Sequence, residues 1–189
     1  MLTLILGGAR SGKSHYAQTL CQNADSVLYL ATAPIDQNDE EMLNRISRHR
    51  TERPDTWTTV EETLDIERIL LGTLGTEKTR KKKTIVLVDC ITIWLANLGW
   101  HYRHLDDETR EREILNLVKS FAQAASRREV IAVTNEVGSG IVPETRLGRT
   151  FRDTHGHANQ LLAREAGRVI LMVASLPLVI KDVEKKLTS

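Results

Sequence analysis

The chain has two cysteines, almost no net charge and no long apolar run, and each shortage removes a class of protein. Cys21 and Cys90 both lie in apolar contexts, one on a helix-like stretch and one at a strand end. Two such thiols make no disulfide framework and fit a reducing compartment. Lys and Arg number 26 against 25 Asp and Glu, a formal net charge of +1. That balance offers no extended basic track for nucleic acid and no general pull toward a membrane surface. No run reaches the ~18 apolar residues of a membrane-spanning helix, and the N-terminal run is too short for a signal peptide. The expectation is a cytoplasmic protein whose residues 1–189 form one nucleotide-binding domain, long enough to bury a proper core.

What is present is decisive at one stretch. Gly7-Gly8-Ala9-Arg10-Ser11-Gly12-Lys13-Ser14 fits G-x-x-x-x-G-K-[ST] without a mismatch. Before it, Leu2-Thr3-Leu4-Ile5-Leu6 reads as a buried strand. After it, His15 to Gln22 carries Tyr16, Ala17, Leu20 and Cys21 at helical spacing. Strand, glycine loop and helix is the context a phosphate-binding loop needs. Glycines let successive backbone N–H groups converge on a phosphate, and the helix N-terminus adds partial positive charge. Lys13 then reaches the β- and γ-phosphates, and the Ser14 hydroxyl helps to hold Mg²⁺. The plainer alternative is a tight strand-to-helix turn with Lys13 exposed.

The remaining elements alternate. Val27 to Thr32 is a second strand. Asp36 to Arg53 predicts a helix, with Met42, Leu43 and Ile46 as its apolar stripe, acids in its first turn and arginines in its last. Pro54 ends it, a short strand Trp57 to Glu61 follows, and a helix runs through Leu64, Ile69 and Leu70. Gly72 to Lys83 reads as the least ordered internal linker, and its run Lys78-Thr79-Arg80-Lys81-Lys82-Lys83 as a solvated loop. Thr84 to Asp89 is a continuous apolar strand, followed by helices over Thr92 to Leu98 and Asp107 to Arg127. Val130 to Thr134, a loop at Gly138 to Pro143, a helix from about Thr145 to Ala166, and strands at Arg168 to Val173 and Leu178 to Ile180 complete the chain. The pattern predicts an α/β fold of the P-loop NTPase type, a mostly parallel twisted sheet with helices on both faces.

Two further residues carry chemistry. Asp89 ends a buried strand, where ligands collect in open α/β sheets, and it can hold Mg²⁺ with Ser14 or cap the following helix. His49 stands among Arg45, Arg48, Arg50 and Arg53. Surrounding positive charge disfavours the imidazolium, leaving a ring nitrogen able to attack phosphorus, and the arginines suit a triphosphate and departing pyrophosphate. Alone, such a histidine would be surface decoration. His155 and His157, like His101 and His104, read as surface residues, although H-x-H can bind a metal. Glu136, after a strand, either orients a substrate hydroxyl or pins its own loop through backbone N–H groups.

Together these segments resemble a known family. They are the glycine loop, Tyr29-Leu30-Ala31-Thr32, Arg45-Ile46 with His49 and Arg53-Pro54, Trp57, Glu61 and Asp89-Cys90-Ile91-Thr92. To these are added Thr134-Asn135-Glu136-Val137-Gly138, Gly140-Ile141-Val142-Pro143, and Phe151-Arg152-Asp153 with Gly156, Asn159 and Gln160. The chain resembles the bifunctional adenosylcobinamide kinase/adenosylcobinamide-phosphate guanylyltransferases of cobalamin biosynthesis. The resemblance implies two reactions: phosphorylation of adenosylcobinamide by ATP or GTP, then transfer of GMP from GTP through a guanylylated histidine to give adenosylcobinamide-GDP. It assigns that histidine to His49. It also implies nucleotide contacts from Ala31, Thr32 and Ala33, from Arg50, Thr51, Glu52 and Arg53, and from Glu61, and assembly as a homotrimer. Asp89 stands where some members carry Glu, and either acid serves Mg²⁺. With only 4% aromatic residues and no cobalt-ligating motif, the sequence does not locate the corrinoid. Two other readings stay open: a kinase with a structural His49, and a non-catalytic nucleotide switch.

Overall fold

The computed structural model of the chain describes residues 1–34, 53–77 and 84–183. The expected helix over 36–53, with His49, Arg50, Thr51 and Glu52, lies outside the described residues except for Arg53, as does the basic run 78–83.

Seven strands form one sheet. They are β1 (Leu2–Gly7), β2 (Ser26–Ala31), β3 (Thr58–Glu61), β4 (Thr84–Asp89), β5 (Val130–Asn135), β6 (Arg168–Val173) and β7 (Leu176–Asp182). Their order is β3-β2-β4-β5-β1-β6-β7, with every pairing parallel except β6 with β7. The interior strand β1 is buried throughout, which explains why its sequence runs apolar rather than alternating. The helices are α1 (Lys13–Cys21), α2 (Ile66–Glu77), α3 (Ile91–His101), α4 (Asp107–Ser126) and α5 (Arg146–Glu165).

The sheet divides the core in two. On one face Ile5, Val27, Tyr29, Leu87, Ile131 and Val133 pack with Ala17 and Cys21 of α1. On the other, Leu2, Leu4, Val86, Val88, Val130 and Ala132 pack with residues of α2 to α5. Helix ends are fixed locally: Asp106 accepts from the Thr109 N–H at the start of α4, and Thr145 from Gly148 N–H at the start of α5. At the centre of the larger core Trp94 lies 5.5 Å from Phe121, ring to ring, and donates its indole N–H to the Leu64 carbonyl at 2.7 Å.

Two expectations on local structure need correcting. Helix α2 does not stop before Gly72 but continues to Glu77. Glycine inside a helix costs only about 1 kcal/mol relative to alanine, and the wholly buried Ile66 and Leu70 anchor the turn before it. Strand β7 is also longer than Leu178 to Ile180. It pairs from Leu176 to Asp182, joined to β6 by a two-residue turn in which Ala174 and Ser175 have φ of 50° and 66°. Such turns usually advertise themselves with Gly, Asn or Asp, and this one does not.

Phe121, wholly buried in the larger core, should be costly to truncate. Phe121→Ala should lower the unfolding free energy by about 3–5 kcal/mol in urea titrations with an unchanged slope.

Candidate active site

The carboxyl ends of the parallel strands form one edge, and the sequence-designated residues lie along it. Register places Glu61 beside Ala31 and Ala31 beside Asp89, while Gly7 stands between Asn135 and Met172. Strand β5 therefore separates the phosphate-loop strand from the Asp89 strand.

The loop from Gly7 to Ser14 is shaped by close approach. A side chain on Gly7 would collide with the Ser11 hydroxyl and the Met172 carbonyl. Gly12 has φ 88°, and a Cβ there would lie 2.7 Å from Ser175 Oγ. The β6–β7 turn props the loop from below, Ser175 N–H donating to the Ser11 carbonyl at 2.9 Å. Gly8, Ala9 and Arg10 are exposed at the rim, with Arg10 at φ 56°. The Ser11 hydroxyl is buried without a partner among the described residues, and Lys13, nearly buried, donates to the Gly8 carbonyl at 2.8 Å. An orphaned hydroxyl and an ammonium folded over a glycine loop are the features of a cradle for an anion.

Asp89 ties this loop to the neighbouring strands. Its Oδ1 lies 3.5 Å from the Ser14 hydroxyl, and its Oδ2 accepts from the Tyr29 hydroxyl at 2.8 Å. Burial, followed by the negative charge of Asp89, raises the pKa of Tyr29 far above that of an ordinary phenol, so it remains a donor. The Arg53 guanidinium lies 3.4 Å over the Tyr29 ring. Stacking thus brings the last residue of the arginine-rich segment to the edge beside Asp89. Ser14 and Asp89 offer hard oxygen donors from two elements, a pair that fits Mg²⁺, which commonly binds through few protein oxygens plus phosphates and water.

The other designated residues differ in exposure. Ala31 and Ala33 are half-buried and Glu61 is exposed. Thr32 is wholly buried, and its hydroxyl accepts from Cys90 N–H at 2.9 Å and donates to the Cys90 carbonyl at 2.8 Å, stitching β2 to β4. Cys90 itself is pushed up to about 11 by burial, and Cys21 likewise, so neither thiol is reactive. Glu136 pins its own loop: its carboxylate accepts from Gly138 N–H at 2.9 Å, and its own N–H donates to the Gly7 carbonyl at 3.0 Å.

These contacts leave the identity to comparison. A family model described as cobinamide kinase / cobinamide phosphate guanyltransferase matches residues 3–180. The chain belongs to that family. It is 39% identical over 189 residues to the bifunctional adenosylcobalamin biosynthesis protein CobU of Escherichia coli, covering 96% of this chain and all of the relative. It is 38% identical to CobU of Salmonella typhimurium and 40% identical to CobP of Pseudomonas aeruginosa, with 100% and 98% of those chains covered. Among solved structures, an ATPase domain matches with a TM-score of 0.51 at 14% identity, over 97% of this chain and 77% of that one. An ATPase from a bacterial type III secretion system matches with the same score at 12% identity, over 90% of this chain and 50% of that one. These two share the P-loop fold and nothing narrower. The protein is thus an enzyme of the cobinamide kinase / guanyltransferase family, with a fold made for nucleotide substrates.

One expectation fails at this edge. His155 is not a surface residue: it is 1% exposed. Its Nε2 lies 3.0 Å from the Thr92 hydroxyl and its Nδ1 3.4 Å from the Asn159 amide nitrogen. A neutral ring with its proton on Nε2 satisfies both contacts, whereas an imidazolium would set two donors face to face. Burial lowers its pKa, opposed by the Glu136 charge. His157 points elsewhere, to Glu111 at 2.7 Å, so H-x-H is no chelate. Among the described residues no group of three His, Cys, Asp or Glu could hold a metal ion. The missed signal was periodicity: Thr154, His155, Ala158, Asn159 and Leu162 share the buried stripe of α5.

A histidine held neutral contributes stability that is present above its unfolded pKa of about 6.5 and is lost as pH falls through its lower folded value. The wild-type melting temperature should therefore drop between about pH 7.5 and 5.5, and His155→Gln should flatten part of that slope. At the upper pH the variant should already be less stable by about 1–3 kcal/mol through the broken hydrogen bonds.

Proposed function

We propose that the protein phosphorylates adenosylcobinamide with ATP or GTP, then transfers GMP from GTP to the phosphate so formed, releasing pyrophosphate and giving adenosylcobinamide-GDP. The observation that carries the first half is the convergence of Lys13, Ser14 and Asp89 at a glycine loop with an orphaned Ser11 hydroxyl. The loop amides and Lys13 grip the β- and γ-phosphates, with further nucleotide contacts from Ala31, Ala33, Arg53 and Glu61. Thr32 supports that contact through its hold on Cys90. Ser14 and Asp89 hold Mg²⁺, which when bound offsets the charge on the phosphate oxygens. Positioning and charge neutralisation are most of what phosphoryl transfer asks of a protein.

In the second reaction an imidazole nitrogen of His49 attacks the α-phosphorus of GTP. A P–N bond forms, the P–O bond to pyrophosphate breaks, and Arg50 to Arg53 neutralise the leaving group. A phosphate oxygen of the acceptor then attacks the same phosphorus, breaking the P–N bond and returning the histidine. What supports this assignment is Arg53 at the Asp89 edge: His49 is four residues upstream, within at most about 14 Å of chain. One domain carries both reactions in this reading, in the cytoplasm. Homotrimeric assembly belongs to it too, supported by the apolar edge strand β7, whose Leu176, Leu178 and Ile180 are exposed.

The test is incubation with Mg²⁺ and α-³²P-labelled GTP, then denaturation and peptide mapping. Label on the His49 peptide, stable to base and lost in acid, is the expected result. No label, with GTP shown to bind, would remove the covalent mechanism. His49→Ala should abolish guanylyl transfer and keep most of the kinase activity. Loss of both in a folded variant would make His49 a shared binding residue.

A further inference from the structure

The buried polar cluster on the α5 side of the sheet has a target, and the target is Asn135. Thr92 accepts from the Asn135 N–H at 2.8 Å, and the Asn159 amide donates to the Asn135 carbonyl at 3.1 Å. Each of those partners is itself fixed. His155 braces Thr92 at 3.0 Å, and the Thr134 hydroxyl donates to the other end of the Asn159 amide at 2.9 Å. A strand end needs no such help to form its ladder. Burying a histidine, a threonine and an asparagine, with a second threonine half-buried, to grip the main-chain N–H and C=O of one residue makes sense where that residue must not shift.

The side chain that this grip holds still is the free part. Along β5, Val130 and Ala132 pack into the core shared with α4 and α5, and Thr134 bonds to α5. Ile131 and Val133 pack into the core shared with α1. Alternation therefore puts Asn135 on the α1 face, the face of the phosphate loop and of the Asp89 carboxylate. Register puts it beside Gly7, on the strand that separates the loop from Asp89. It is half-buried, and among the described residues its carboxamide makes no hydrogen bond.

We infer that Asn135 is a phosphate-contacting residue: its carboxamide N–H donates to an oxygen of the terminal phosphate of a bound nucleoside triphosphate, in the gap between the phosphate loop and Asp89. The inference rests on the loop binding a nucleotide but not on the identity of the acceptor. The contact exists only when a γ-phosphate is present, and it strengthens as charge develops on that group during transfer. Thr92, His155, Thr134 and Asn159 act through it as positioning residues.

The measurement is binding of a non-hydrolysable triphosphate and of the matching diphosphate to the wild type, Asn135→Ala and Asn135→Asp, with Mg²⁺ and without acceptor. Triphosphate affinity should fall about 10-fold or more in Asn135→Ala, and further in Asn135→Asp, with diphosphate affinity within about 2-fold of wild type. With adenosylcobinamide as acceptor, kcat should fall about 100-fold while the KM for acceptor stays near wild type. Equal losses for both nucleotides, or no loss for either, would overturn the inference, the first showing a general support of the loop. If the wild type shows the triphosphate preference but does not phosphorylate adenosylcobinamide, the acceptor assignment fails and the Asn135 contact stands.

Discussion

Asp89 is where three separately built parts of this protein meet. Its carboxylate takes the Tyr29 hydroxyl on one oxygen and faces the Ser14 hydroxyl with the other. Tyr29 in turn carries the Arg53 guanidinium on its ring. A carboxylate at the rim of a sheet could turn freely, and here one oxygen is held by a phenol that stays protonated, leaving the other directed at the phosphate loop. The arrangement also explains a tyrosine within an otherwise apolar strand. Its ring fills the α1-side core, while its hydroxyl emerges among the charges. Removing that hydroxyl would leave the carboxylate's direction set by Ser14 alone.

The sheet converts this local contact into a site. Parallel register brings Glu61, Ala31 and Asp89 into one row, and Asn135, Gly7 and Met172 into another. The two faces then divide the work. The α1 face receives the loop, Tyr29 and Asp89. The opposite face, under four helices, holds the neutral His155 cluster that immobilises the β5 end. Polar groups in that second place are costly unless satisfied, and they are satisfied among themselves and with main chain. The glycine loop is gripped similarly from the far edge, through the Ser175 N–H on the Ser11 carbonyl.

Most of the fold was legible because its signals are local. The β1 run, the loop spacing and the acid ending β4 depend on neighbours in sequence, and the sheet follows from strands alternating with helices. What escaped depends on contacts distant in sequence. His155 looked like a surface residue beside His157, since nothing adjacent shows that Thr92, 63 positions away, waits for its ring. Asn159 and Thr154 lay on an apolar stripe and could have warned of a buried polar cluster. The Ala174–Ser175 turn gave no glycine signal, because the close fit beneath the phosphate loop takes precedence over turn preference there. Gly72 suggested a break, but packing of Ile66 and Leu70 outweighs one glycine. At the site, Lys13 and Ser14 were readable from motif spacing and Asp89 from its place at the end of an apolar strand, whereas the ring of Tyr29 under Arg53 was not.

The two proposed transfers make opposite mechanical demands, and the way each part is held matches them. Phosphorylation needs groups that do not move, because a displaced donor loses transition-state stabilisation steeply. Lys13, Ser14, Asp89 and Asn135 all project from elements locked by hydrogen-bond ladders or buried side-chain clusters. Guanylylation through a histidine needs a group that approaches phosphorus, becomes loaded, and then leaves one face of that phosphorus open to an acceptor phosphate. Arg53 reaches the site by lying on a ring rather than by joining a ladder, and its Nε is buried without a hydrogen bond among the described residues. A stacked guanidinium can slide or rotate over an aromatic face at little cost, while its charge stays beside the nucleotide. On the proposed function, one rigid edge and one stacked contact would let a single sheet serve a reaction that requires fixity and another that requires exchange.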